Sequence, residues 1–144
     1  MKPYIHTESL VSKNEIELFN QIKRDIESLP DNFDLGNDQN NQPIILTCHM
    51  LAQAISKKYS LMRVDGNYQP VFMNHSWCIS PDGNIIDVYP CGIIGGPLLV
   101  YVPDVRTLHQ LFETYVACPV NIYGVLSKSY FEHSVSKILN QMNS

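Results

Sequence analysis

His75-Ser76-Trp77-Cys78-Ile79-Ser80-Pro81-Asp82-Gly83-Asn84-Ile85-Ile86-Asp87 is the stretch on which the fold of this chain turns. Two runs rich in Val, Phe, Ile, Trp and Tyr, 69–80 and 84–89, flank Ser80-Pro81-Asp82-Gly83 and read as the strands of a hairpin. Pro81 at the second turn position and Asp82 at the third suit a type I turn. Gly83 can follow in the left-handed conformation that closes a three-residue loop. Such a loop pairs Ser80 with Asn84, which sets Trp77 opposite Asp87 and His75 opposite Tyr89. His75, Trp77 and Asp87 then project from one face, because side chains alternate along a strand. His75 and Asp87 become diagonal neighbours with α-carbons about 7 to 8 Å apart, a gap that an imidazole and a carboxylate can span. A two-residue loop at Asp82-Gly83 would instead put Asp87 opposite Cys78, on the other face.

Upstream, Thr47-Cys48-His49-Met50-Leu51-Ala52 places a cysteine at the head of an apolar helix that is expected to run to about Tyr59. Cys48, His75 and Asp87 are, in residue type, the three parts of an activated thiol nucleophile. A free thiol, with a pKa near roughly 8.5, is mostly protonated at neutral pH, and both a helix N-terminus and an adjacent imidazolium lower that value. In this scheme Asp87 holds the ring of His75 in the useful tautomer, and His75 passes its proton to the leaving group. The amide of Cys48 and the side chain of Gln42, six residues earlier, are candidate donors to an oxyanion. The plainer alternatives make Cys48 a buried small hydrophobe, His75 a strand histidine, Trp77 core, and Asp87 an edge-strand charge. Asp87 weighs against them, since a carboxylate between Ile86 and Val88 costs free energy unless it is paired or faces solvent.

A cysteine at a helix start, then His-x-Trp on one strand and Asp on the next, resembles the core of the transglutaminase-like superfamily within the wider papain-like fold. The resemblance covers 42–90. Cys48 matches the family nucleophile, His75 the base and Asp87 the orienting acid, and Ser76 satisfies the small residue between His and Trp. Gln42 resembles the upstream oxyanion glutamine of papain-like peptidases, and Trp77 is expected to border the substrate. Leu46 departs from the glycine that many members carry two residues before the cysteine. The resemblance implies an α+β, papain-like/transglutaminase-like fold, with the nucleophile helix packed on a small antiparallel sheet and flanked by other helices. It also implies thiol acyl chemistry on an amide, whether deamidation, amide or peptide hydrolysis, or transglutaminase-type transfer. The rival expectation, from a different class, is a non-catalytic protein-interaction module on the same scaffold.

At 144 residues, 44% hydrophobic and 17% charged, the chain fits a single domain spanning 1–144 with a real core. A net charge of −4 and the absence of a Lys/Arg stripe argue against nucleic acid as a partner. The longest apolar stretch, 93–102, contains Gly95, Gly96 and Pro97 and is too short to cross a bilayer, so no membrane role is expected. Residues 1–10 lack a signal-peptide core, which points to the cytoplasm, or to export by a route without such a signal. The four cysteines, Cys48, Cys78, Cys91 and Cys118, include no Cys-x-x-Cys pair and read as free thiols. A zinc site from Cys48, His49, His75 and Cys78 fits poorly, since His75 and Cys78 would point to opposite faces of a strand. No cofactor or metal is expected, and the expected partner is a protein or peptide substrate.

Flanking segments complete the expectation. Ser12 or Asn14 caps a first helix carrying Ile16, Phe19, Ile22, Ile26 and Leu29 at helical spacing, closed by Pro30. A short strand over 61–64 ends at Asp65-Gly66-Asn67, a third main strand covers 98–102, and helices cover 105–115 and 128–142. A glycine-containing loop spans 91–97, and His6, His109 and His133 fall outside the Cys-His-Asp pattern.

Overall fold

In a computed structural model the described residues are 11–89, 97–102 and 114–143. Three helices and five strands fall within them. In chain order they are α1 (Lys13–Glu27), α2 (Cys48–Tyr59), β1 (Met62–Tyr68), β2 (Met73–Ile79), β3 (Ile85–Asp87), β4 (Leu98–Val100), β5 (Tyr115–Ala117) and α3 (Lys128–Met142). Residues 91–96 of the glycine loop, 105–113 of the expected 105–115 helix, and with them His6, His109 and Cys91, lie outside the described residues.

Each helix begins on a hydroxyl cap. Ser12, Thr47 and Ser127 sit in extended backbone and accept from the amides of Glu15, Met50 and Tyr130, which satisfies donors that the first turn cannot. α2 buries Met50, Leu51, Ala52, Ala54 and Ile55, and ends at Ser60 in a left-handed conformation (φ 56°). The two ends of α2 therefore have definite causes, and Cys48 falls on its first residue.

The strands form one antiparallel sheet in the order β4-β3-β2-β1-β5. The three-residue loop sets the register of β2 and β3. Cys78 pairs with Ile86 and Ile79 with Ile85, while the Ser80 amide donates to the Asn84 carbonyl at 2.8 Å and Gly83 takes φ 87°. This loop is anchored from outside the sheet: the buried Glu15 of α1 accepts from the Ser80 hydroxyl and from the Asn84 amide, the latter at 3.0 Å. A buried carboxylate with two donors is a stable arrangement where an orphaned one would not be.

Alternation assigns the two faces of the sheet. One carries Ser76, Cys78, Ile86 and Leu99, and the last three join α1, α2 and α3 in a single core with Ile22, Ile55, Phe131, Val135 and Ile138. The other carries Tyr68, Trp77, Ile85, Val100 and Tyr115, all buried in a second cluster. His75 and Asp87 lie on this second face.

Three expectations are corrected. Asp65-Gly66-Asn67 is not a turn: β1 continues through it to Tyr68. The glycine is needed because β5 runs against it. A Cβ at Gly66 would lie 2.0 Å from the Val116 carbonyl oxygen. The 69–80 strand is interrupted by a 3₁₀ turn over Gln69–Val71, where Pro70 has no amide to give a ladder. Tyr115, expected at the end of a helix, begins β5 and pairs with Tyr68.

Candidate functional site

Cys48 is half-buried at the first position of α2. The N-terminal end of a helix carries partial positive charge, which favours an anion there. His75 comes to it from β2, and Asp87 from β3. The ladder between those strands stops at Cys78 and Ile86, so the backbone of His75 is not paired to β3.

The ring of His75 is fully buried and lies 2.8 Å, through Nε2, from Oδ1 of the equally buried Asp87. Its other side-chain hydrogen-bond partner is Cys48. Asp87 is held from three sides: by His75, by the Tyr115 hydroxyl donating to Oδ2 at 2.8 Å, and by the Tyr89 amide at 3.4 Å. The carboxylate cannot turn away without losing all of these.

Electrostatics at His75 are a contest. Burial disfavours the imidazolium, but the hydrogen bonds to Asp87 and then to Cys48, with the charges of both, outweigh it and push the pKa up to about 9. A negative sulfur and a positive ring are thus mutually supporting. Aromatic rings enclose the imidazole: Tyr68 at 5.8 Å, Trp77 at 6.1 Å and Tyr115 at 6.5 Å between centroids. They exclude water, so each remaining electrostatic contact counts for more. The arrangement can present a thiolate to an electrophilic carbon and return a proton to a leaving group.

Cys78 shows what the same residue type does elsewhere. It is wholly buried, its thiol donates to the Ala52 carbonyl at 3.5 Å, and burial, aided by the charge of Asp87 and opposed by Arg63, pushes its pKa up to about 12. That thiol is an inert part of the core.

Two further expectations change. Trp77 is only 3% exposed and packs edge-on against Tyr115 at 5.1 Å, so it is a wall behind His75 and not a surface offered to substrate. Gln42 is exposed in a loop where its backbone carbonyl accepts from the Asp38 amide and its own amide donates to the Asp38 carboxylate. Its side chain has no hydrogen-bond partner among the described residues. No structural observation ties it to Cys48.

Two groups were not legible in the sequence. Tyr115 is the third member around Asp87, supplied by a strand that the local pattern reads as helix. On the opposite face, His49 Nδ1 lies 2.6 Å from the Ser76 hydroxyl, which donates to Asp65, which in turn is braced by Arg63. The neighbours Ser76 and His75 thus serve networks on opposite faces.

Among the described residues no cluster of three or more His, Cys, Asp or Glu side chains could hold a metal ion, and no helix is long and apolar enough to cross a membrane. Comparison with known proteins finds no family model, no curated protein and no solved structure that matches the chain, so the reading of Cys48, His75 and Asp87 rests on their own geometry.

Proposed function

We propose that the protein is a cysteine-dependent acyl-transfer enzyme acting on an amide, with Cys48 as nucleophile, His75 as base and then acid, and Asp87 as the residue that orients His75. The observation that carries this reading is His75 itself: a fully buried ring bonded through Nε2 to a buried carboxylate and hydrogen-bonded as well to the thiol at a helix head. The thiolate sulfur attacks the carbonyl carbon, and the tetrahedral oxyanion is met by backbone amides at the head of α2. The carbon–nitrogen bond then breaks, its electron pair leaves with nitrogen, and the proton on His75 goes to that nitrogen. A thioester on Cys48 remains until water or an amine attacks it, with His75 taking the acceptor's proton. The resemblance to the transglutaminase-like superfamily supports the same roles, and a peptide or protein amide is the favoured donor.

The test uses p-nitrophenyl acetate as an activated acyl donor. The expected result is a burst of nitrophenol with an acetyl adduct mapped to Cys48 by mass spectrometry. That adduct should be absent in Cys48→Ser and strongly reduced in His75→Ala. Slow acetylation spread over several side chains, unaffected by either substitution, would favour the interaction-module reading.

A further inference from the structure

A cavity of about 410 Å³ opens beside the head of α2. Its wall includes Thr47 and His49, which flank Cys48 at the head of α2, and Asn74 of β2. Met50, Ile122 and Leu126 make most of the wall apolar, and the highly exposed Val125 contributes at the surface; Asp38 also lines it, with its carboxylate already accepting from the Asn40 and Gln42 amides. A cavity of this size accepts a side chain, and an apolar wall penalises a charged one by removing its hydration.

One polar group in this wall has a fixed orientation. His49 Nδ1 is 2.6 Å from Ser76 Oγ, and the single hydroxyl proton of Ser76 is given to Asp65 at 2.6 Å, because an ionised carboxylate only accepts. Nδ1 therefore carries a proton and donates to Ser76. In the neutral ring Nε2 is then an acceptor, and no described residue bonds it. Arg63, at 3.0 Å from Asp65, completes the chain of contacts that holds this tautomer.

We propose that this cavity receives the side chain of the acyl donor, that its preferred occupant is a neutral, mainly apolar side chain ending in a hydrogen-bond donor, as in tyrosine, and that His49 is the specificity-determining residue that accepts from that donor at Nε2. The assignment rests on the acyl-transfer reading of Cys48. It adds the substrate class that reading leaves open.

Binding is measured without chemistry by titrating N-acetyl-tyrosine amide, N-acetyl-phenylalanine amide and N-acetyl-alanine amide into ¹⁵N-labelled Cys48→Ala protein. The tyrosine amide should shift the resonances of Thr47, His49, Asn74 and Val125 and bind several-fold more tightly than the phenylalanine amide, with the alanine amide weakest. His49→Asn keeps a donor for Ser76 but lacks Nε2, and should bring the tyrosine amide to the affinity of the phenylalanine amide. Val125→Asp, at an exposed position, should weaken both aromatic amides several-fold. Equal affinity of the three amides, a tyrosine preference that survives His49→Asn, or shifts confined to another surface would overturn the assignment. The chloromethyl ketones of the same amino acids then separate the two layers in wild-type protein. Alkylation of Cys48 in the order Tyr, Phe, Ala supports both. Alkylation without that order overturns the pocket assignment alone, and amide binding without alkylation overturns the acyl-donor role because the thiol reading itself has failed.

Discussion

Cys48 and Cys78 lie on two elements packed against each other, α2 and β2, yet their surroundings give them opposite chemistry. Cys78 is the more deeply buried, pointing into the helix-covered face, where burial and the charge of Asp87 outweigh the opposing charge of Arg63 and push its thiol up to about 12. Cys48 is half-buried, at a helix head, and hydrogen-bonded to an imidazole whose own pKa is pushed up to about 9. On the proposed reading the difference teaches that Cys48 is reactive because a positive ring charge, supplied by β2, is held beside it.

The largest expected effect comes from removing that charge. His75→Ala should slow alkylation of Cys48 at pH 6 on the order of 10- to 100-fold, because an isolated thiol is almost wholly protonated there, and should leave Cys78 as unreactive as before. Asp87→Ala strips the buried imidazole and the Tyr115 hydroxyl of their common acceptor. It should destabilise the fold by about 3–5 kcal/mol in urea denaturation, as breaking a buried pair usually does, and flatten the contrast between the two thiols. Gly66→Ala attacks the strand that brings Tyr115 to Asp87, since its Cβ would meet the Val116 carbonyl oxygen, and a cost of about 1–3 kcal/mol is expected from the same measurement. Tyr115→Phe removes one of three donors to Asp87 and should cost about 1–2 kcal/mol while leaving the Cys48 labelling rate within a few-fold of wild type.

Stability against pH gives an independent handle on the same contrast. His75 is ordinary in the unfolded chain, near 6.5, and raised to about 9 in the folded one. Between those values the folded state binds the extra proton, so the contribution is fully present below about pH 6.5 and is lost as pH rises through about 9. Urea denaturation midpoints should therefore fall across that window in wild type and fall less in His75→Gln. Cys78→Ala should leave the trend unchanged.

The legible part of the site was the part with local causes. Pro81-Asp82-Gly83 carries its turn chemistry within three residues, so the register that puts His75 and Asp87 on one face could be read directly. The Cys48 helix could be read for a similar reason, since its apolar run falls at helical spacing and ends at Tyr59 as expected. The illegible part depends on contacts distant in sequence. Gly66 has the neighbours of a turn residue, and only the approach of β5, about fifty positions away, shows why it is a glycine within a strand. Tyr115 has helical spacing locally, and its pairing to β1 overrides that spacing. The offset of Gln42 from Cys48 runs along an irregular loop and so does not fix direction, and its backbone is tied to Asp38. Trp77 was placed on the correct face, yet depth is a tertiary property, and the aromatic cluster closes over it.

The most direct test of the central claim is the pH dependence of iodoacetamide alkylation, followed residue by residue with mass spectrometry on the native protein. The account predicts that Cys48 reacts rapidly below pH 7, that His75→Ala abolishes this early phase, and that Cys78 reacts only after unfolding. Cys48 and Cys78 alkylating at similarly slow rates across the range, with no response to His75→Ala, would contradict it.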